Sequence, residues 1–299
     1  MRPHPHDPAE AASEAPRRLA PGLHLVATPI GNLRDITLRA LDTLRGVDLI
    51  ACEDTRVTGR LCAAYGITAP LTPYHEHNAA RARPLLIERL KAGARIALVS
   101  DAGTPLVSDP GYKLVGAAIA AGISVTAVPG PSAPVTALAL SGLPTDRFLF
   151  AGFLPAKPAQ RQKTLAVLAA VPATLLLFET APRLAAALVD IVAILGDRPA
   201  AICRELTKFH EEVRRGMLAA LAAHYQEAGP PKGELVIVIA PPAAAEAPAE
   251  EALDALLTDA LAGGGSLRDA VDKIVAATGL PRRRVYARAL TIGAPHRER

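Results

Sequence analysis

From residue 22 almost to residue 240, short runs of apolar, β-branched residues alternate with stretches of helical spacing. "LHLVATP" (23–29), "VDLIACE" (47–53), "RIALVSD" (95–101) and "ISVTAVP" (123–129) read as strands. Between them, segments such as "LRALDTLRG" and "RARPLLIERLKAG" place apolar residues on one helical stripe and end at a glycine. This alternation predicts βαβ units, and so a buried parallel sheet with helices on both faces. In the first helix, Asp35 is positioned to cap the N-terminus, Leu38, Leu41 and Leu44 to face inward, and Gly46 to follow the last turn.

A second series follows "SGLPTDR", with strands at "FLFAGF" (148–153), "TLLLFET" (174–180), "AAICREL" (200–206) and "ELVIVIA" (234–240). No sequence repeat relates the two halves. The pattern divides the chain into a tail over 1–20, an α/β domain over 21–143, a second over 144–242, a Pro/Ala-rich linker over 243–252 and a basic helical segment over 253–299. The tail lacks the apolar core of a secretory signal and has the composition of a disordered segment. In "SLRDAVDKIVAATGLPRRRVYARAL", Leu267, Val271, Ile274 and Val275 share one stripe, Gly279 makes a turn, and Val285, Ala289 and Leu290 start another. That is the outline of a helix-turn-helix, which a hairpin that merely packs or dimerises also shows.

Composition narrows the field. The 299 residues suit two domains of ordinary size. No apolar run reaches the roughly 18–20 residues that span a bilayer, so no membrane partner is expected. Cys52, Cys62 and Cys203 are too scattered for a disulfide frame, which suggests a soluble cytoplasmic protein. The net charge is only +4, yet the segment from Ser266 holds eight Lys/Arg against three acids, which suits a polyanionic partner. With 3% aromatic residues and no Trp, base stacking is expected to be minor.

The candidate chemistry lies at strand ends. In open α/β sheets, ligands bind outside the carboxyl ends of the strands. Here those ends read "TPIGNLRD", "SDAGTPLVSDPGY", "VPGPSAP" and "ETAPR". Glycine lets a ligand approach the backbone, and proline fixes the loop. One such loop is ordinary turn chemistry; three on one edge point to a pocket, with Ser100 and Asp101 emerging from a strand and Gly103 and Thr104 forming a wall. There is no Gly-x-Gly-x-x-Gly, no phosphate-binding Gly-x4-Gly-Lys-Ser/Thr, and no metal motif such as His-Glu-x-x-His. The residues alone stop at a small-molecule pocket.

"VATPIGNLRDIT", "ACEDTR", "LVSDAGTPLVSDPGY", "VPGPSA", "GLPTDRF", "GFLPAK" and "RELTKFHEE", in that order, resemble the 16S rRNA (cytidine-2′-O)-methyltransferase branch of the tetrapyrrole methylase superfamily, over residues 22 to about 290. The resemblance implies two α/β domains with a cofactor cleft between them, a small C-terminal helical segment and a homodimer. It also implies S-adenosylmethionine-dependent methylation of a cytidine in the decoding region of the small ribosomal subunit. By similarity the methyl donor is gripped by Pro29, Gly31 and Asn32, by Ser100, Asp101, Gly103 and Thr104, and by Pro129, Gly130, Ser132 and Ala133. Porphyrin-precursor members carry Gly-x-Gly-Pro-Gly-Asp after the first strand; this chain has Thr28-Pro29-Ile30-Gly31-Asn32, which speaks against a tetrapyrrole substrate.

Methyl transfer to a ribose hydroxyl needs alignment and a proton acceptor. The candidates are Glu53, Asp54 and Glu179, with His75 and His77 in "YHEHN" further possibilities. Glu53, Asp54 and Arg56 fit turn capping equally well. For RNA contact the sequence offers Arg56, His75, Arg204, Lys208 and the run Arg282, Arg283 and Arg284, with Glu205 placed to fix Arg204 and Thr207 to cap a helix or turn. A structural ion pair serves Arg204 as well. Two rival functions stand beside this one: a tetrapyrrole-precursor C-methyltransferase, and a non-catalytic RNA-binding protein with a ligand-sensing α/β body.

Overall fold

The computed structural model of the chain describes residues 19–108, 111–243, 250–262, 266–278 and 280–293. Most of the expected tail, residues 244–249 of the expected linker and Gly279 of the expected turn lie outside them. The chain divides into two compact units, Met1–Pro242 and Ala243–Arg299.

The first unit opens with five strands, β1 (Gly22–Val26), β2 (Leu49–Cys52), β3 (Leu71–Pro73), β4 (Arg95–Val99) and β5 (Val125–Val128), in the order β3-β2-β4-β1-β5. Every pairing is parallel. The crossovers carry helices α1 (Leu38–Gly46), α2 (Thr55–Ala64), α3 (Ala79–Lys91) and α4 (Tyr112–Ala120). Strand alternation sends Ile96 and Leu98 of β4 into a core with Leu86 and Leu114, and Ala97 and Val99 into another with Leu44 and Leu61. Both faces are buried, which is why β4 reads as an unbroken apolar run.

The start of α1 differs from the sequence expectation. Thr37, not Asp35, caps it, its hydroxyl accepting from the Ala40 N–H at 3.1 Å. Asp35 is taken up in a 3-10 turn over Leu33–Asp35, so the helix begins later and Leu38 is 81% exposed. Ala40, Thr43 and Leu44 form the buried stripe, and Gly46 is still helical.

The second sheet comprises β6 (Phe148–Phe153), β7 (Thr174–Thr180), β8 (Pro199–Arg204), β9 (Glu212–Met217) and β10 (Glu234–Ile239), in the order β6-β7-β10-β8-β9. Only β6 and β7 run parallel. The pairs β7–β10, β8–β10 and β8–β9 are antiparallel, against the parallel sheet that the alternation predicts. The turn from β8 to β9 is too short for a crossover, and a hairpin joins only antiparallel strands. Helices α6 (Pro158–Leu168), α7 (Leu184–Leu195) and α8 (Leu218–Ala228) cover one face of this sheet. The other face receives α5 (Ala133–Ser141), which follows β5 in the chain yet packs Ala137 and Leu138 against Leu176, Cys203 and Val236. Arg215 caps α5 by donating to the Ser141 carbonyl at 3.1 Å.

In the second unit, α9 (Glu250–Ala262), α10 (Leu267–Thr278) and α11 (Arg282–Gly293) bury Leu253, Leu257, Val271, Ile274, Val285 and Ala289 together. Leu290, expected on that stripe, is half exposed. Ser266 and Asp269 exchange bonds at the start of α10, the Asp269 N–H donating to Ser266 Oγ and the Ser266 N–H to Asp269 Oδ2, both at 3.2 Å.

Arg161 on α6 and Asp190 on α7 form a buried ion pair, Nε to Oδ2 at 2.6 Å, with side chains 6% and 13% exposed. Asp190→Ala strands the guanidinium in the core and is expected to cost about 3–5 kcal/mol in urea unfolding, whereas Arg161→Met with Asp190→Leu recovers most of the loss.

Candidate functional site

The first, fourth and fifth strands end in loops that are bonded to one another. Thr28 and Gly103 exchange two backbone bonds, Thr28 N–H to Gly103 O at 2.9 Å and Gly103 N–H to Thr28 O at 3.0 Å. The Thr28 hydroxyl donates to the Ser100 carbonyl at 3.2 Å, and the Thr104 hydroxyl to the Pro131 carbonyl at 3.0 Å. Gly103 has φ +81°, and a Cβ there would sit 3.1 Å from Ile30 Cγ2. The backbone angle favours glycine, and the close approach leaves little room for a Cβ. Nearby, Leu106 and Ser108 hold φ of 75° and 63° without being glycine, so the loop is strained as well as tied.

The first loop also touches the turn between β8 and β9. The Asn32 N–H donates to Thr207 Oγ1 at 3.1 Å, so Thr207 caps no helix but anchors this loop. A Cβ on Gly31 would lie 2.5 Å from Lys208 Cγ. Lys208 Nζ donates to Glu205 at 2.8 Å and to Glu234 at 2.9 Å. Glu205 is therefore not the partner of Arg204, as the sequence suggested. Its φ of 50° turns it toward Lys208, and Arg204 pairs across the strands with Glu212 at 3.1 Å.

Two cavities meet here. The larger, about 470 Å³, has Gly103, Thr104, Ser132 and Ala133 on one side, and Phe153, Phe178, Leu206 and Gly233–Val236 on the other. The smaller, about 260 Å³, lies among Pro29, Gly31, Val57, Arg60 and Ser100. Ile30, Asp101, Ala102 and Glu234 line both.

Of the residues expected to hold the donor, Asp101, Gly103, Thr104, Ser132 and Ala133 line the larger cavity, and Pro29, Gly31 and Ser100 the smaller. Asn32, Pro129 and Gly130 line neither. Asn32 accepts from the Arg34 N–H at 3.0 Å, and a Cβ on Gly130 would lie 3.0 Å from that of Ala27. Among the candidate bases, Glu179 lies in the larger cavity's wall, accepting from the Thr180 N–H at 2.8 Å and paired with Arg183 at 3.1 Å. Asp54 caps α2 through the Arg56 N–H at 2.8 Å and grips the Arg56 guanidinium at 2.6 Å, which holds its carboxyl at about 2. That makes Asp54 a poor proton acceptor near neutrality. Glu53 is half-buried and lines neither cavity.

His75 stands in the turn before α3, its N–H bonded to Asn78 Oδ1 at 2.9 Å and its ring 6.0 Å from that of His77. Arg56 is exposed apart from its hold on Asp54. On α11, Arg282 pairs with Asp272, while Arg283 and Arg284 are exposed. The residues that the sequence did not single out are the walls from the second sheet. "ETAPR" marks one of them, but Leu206, Leu235 and Val236 look like any core residues. Cys203 also lines the larger cavity, and burial pushes its thiol up to about 11, so it stays protonated and unreactive. No cluster suited to a metal ion, and no helix long and apolar enough to cross a membrane, occurs among the described residues.

The family model for "Tetrapyrrole (Corrin/Porphyrin) Methylases" matches residues 22–222. The chain belongs to the tetrapyrrole methylase family. A second model, the RsmI C-terminal HTH domain, matches residues 246–293. The "Ribosomal RNA small subunit methyltransferase I" of Mesorhizobium japonicum is 55% identical over 284 residues, covering 94% of this chain and 95% of the relative. That of Synechocystis sp. is 46% identical over 275 residues, 91% of this chain and 98% of the relative. A uroporphyrin-III-C-methyltransferase structure from Thermus thermophilus aligns at TM-score 0.50 and 25% identity, covering 72% of this chain and 93% of that one. Diphthine synthase shares the fold, at TM-score 0.56 and 19% identity over 73% of this chain and 89% of that one. This tetrapyrrole methylase is an rRNA-branch methyltransferase, and its methyl donor is S-adenosylmethionine.

Gly103→Ala forces a side chain into the left-handed region, a strain of roughly 1–2 kcal/mol that displaces the loop junction. Calorimetry with S-adenosylmethionine is expected to show binding weakened about tenfold. Unchanged affinity would remove these loops from the donor site.

Proposed function

We propose that this tetrapyrrole methylase transfers a methyl group from S-adenosylmethionine to the ribose 2′-oxygen of a cytidine in 16S rRNA, in the decoding region of the small subunit. One observation carries the reading: Asp101 stands where the two cavities join. One of its oxygens accepts the Asp54 N–H at 2.9 Å, and the other has no hydrogen-bond partner among the described residues. The substrate assignment draws on the relatives named as small-subunit ribosomal RNA methyltransferases.

The larger cavity suits the donor. Its volume lies in the range of small-molecule sites, and Ile30, Phe178 and Leu235 supply apolar walls. Ser132 and Ala133 bring the N-terminus of α5, where free N–H groups favour a carboxylate. Asp101, Glu179 and Glu234 offer negative charge to a sulfonium and an ammonium. Bound there, the donor supplies a carbon made electrophilic by positively charged sulfur.

In this reading the ribose enters by the smaller cavity. Asp101, held by the Asp54 N–H, accepts a hydrogen bond from the 2′-hydroxyl, orients its lone pair and takes its proton as the oxygen–carbon bond forms. Glu179, locked by Arg183, contributes fixed charge and no proton transfer. Asp54 sets Arg56 in place, and the exposed guanidinium meets phosphate. Arg283 and Arg284 stand in the first turn of α11, where cations oppose the helix dipole, an arrangement that an RNA backbone makes favourable.

The proposal extends to a cytoplasmic location, suited to three unpaired buried cysteines, and to domains over 21–143 and 144–242. It also includes a homodimer, because edge strand β6 exposes Phe148 and Leu149 and α5 exposes Val135.

The test is methyl transfer from labelled donor to small ribosomal subunits lacking the modification, followed by mass spectrometry of the digested nucleosides. The expected product is 2′-O-methylcytidine; transfer to a porphyrin precursor instead of RNA would overturn the assignment. Asp101→Asn keeps the acceptor for the Asp54 N–H and removes the base. It is expected to lower kcat, measured at saturating donor, by about 10²–10⁴.

A further inference from the structure

A basin of about 400 Å³ lies on the second sheet outside both cavities. Arg204 enters it from the end of β8, Glu212 and Arg214 from β9, His224 from α8, and Lys232 from the turn into β10. Its three cations face one carboxylate. Glu212 is shared, one oxygen accepting from Arg204 at 3.1 Å and the other from Arg214 at 2.8 Å. Both guanidinium groups keep N–H donors beyond that shared acid, and Lys232 has no ion pair among the described residues. Arg204 is further fixed by donating to the Lys232 carbonyl at 3.1 Å. Two arginines fixed on a shared carboxylate, beside a lone ammonium, are a receptor for a phosphate oxygen.

The turn from β8 to β9 adds a second, independent feature. Phe209 is 97% exposed, its ring open to a partner beside the basin. Its ring stands edge-to-face with His210, a basin residue, at 5.0 Å between centroids. The turn is held at its base, the Thr207 N–H donating to Glu211 at 2.7 Å and Lys208 pairing with Glu205. Phe209 is thus an aromatic face on a fixed stem. An aromatic next to a phosphate receptor is how single-stranded RNA is gripped, by stacking one base while charge tracks the backbone.

The basin borders the site where the chemistry is placed. Lys232 lines the basin and its neighbour Gly233 lines the larger cavity; Arg204 lines the basin and Leu206, two residues on, the cavity. We propose that the basin and Phe209 form a docking subsite for unpaired RNA flanking the reacting nucleotide. Phosphate rests against Arg204, Arg214 and Lys232, and one base on Phe209. This rests on RNA being the substrate, and it assigns roles to Phe209, Arg214 and Lys232 that the transfer step does not use.

The test uses the full chain and a fluorescein-labelled single-stranded RNA carrying the target cytidine, with affinity followed by anisotropy across a salt series. Arg214→Ala with Lys232→Ala is expected to weaken binding about 10–100-fold and to flatten the slope of log K against log salt by about 1.4, two phosphate contacts' worth for a single strand. Phe209→Ala is expected to weaken binding roughly 5–100-fold with the slope unchanged, and Phe209→Trp to retain affinity. Donor affinity by calorimetry stays at the parent value throughout, which separates lost docking from lost folding. Variants that bind RNA like a parent chain active on subunits would overturn the subsite and leave the proposed function standing. Weaker RNA binding that tracks a shift to monomer in sedimentation would make the basin a subunit contact and equally overturn it. A parent chain that neither binds nor methylates RNA would bring down the function itself, and the subsite with it.

Discussion

The exchange of two backbone hydrogen bonds between Thr28 and Gly103 is the constraint on which the site depends. β1 and β4 are parallel neighbours, and beyond their last residues nothing in the ladder keeps their chains together. The exchange turns the β4 loop back across the extension of β1 and closes that gap. It sets Ile30 against Gly103 and leaves Asp101 at the mouth of both cavities. Thr104 then ties the β5 loop to the same junction. With three loops fixed before any ligand arrives, less ordering entropy opposes binding.

Around that junction, charge is sorted by sign. Lys208 is neutralised between Glu205 and Glu234, Arg56 by Asp54, and Arg183 by Glu179. The larger cavity is lined by Asp101, Glu179 and Glu234 and by no Lys or Arg among the described residues, which suits a cationic donor. What remains outside is positive: Lys232 and the spare donors of Arg204 and Arg214. A small cation and a polyanion can therefore approach one site from different sides without competing for the same groups. The net charge of +4 conceals this, because a whole-chain sum says nothing of where the charges stand.

Much of the fold is legible in the sequence where both faces of an element are buried. β1, β2 and β4 announce themselves as apolar runs for that reason, whereas β5, an edge strand with Thr126 and Ala127 exposed, is legible from its β-branched residues. β3 escapes because it is three residues at an edge and ends in proline, and β9 because "EVRRGM" is an edge strand with polar, exposed positions. Loop chemistry is legible too, since Gly103 and the prolines stand out wherever a chain must turn tightly. Partnerships are not. Glu205 beside Arg204 in sequence suggests a pair, but the backbone angle at Glu205 hands it to Lys208. Leu206 and Val236 form a cavity wall only because the antiparallel second sheet brings them opposite α5, which the alternation of elements does not predict.

The most direct test of a preformed, loop-tied donor site is a crystal structure of the full chain with S-adenosylhomocysteine. The account predicts the ligand between Gly103–Thr104, Ser132–Ala133 and Gly233–Val236, with the Thr28–Gly103 bonds intact and the free Asp101 oxygen open to the smaller cavity. A ligand lodged beside Val57 and Arg60, or a Thr28–Gly103 junction that opens to admit it, would contradict the account.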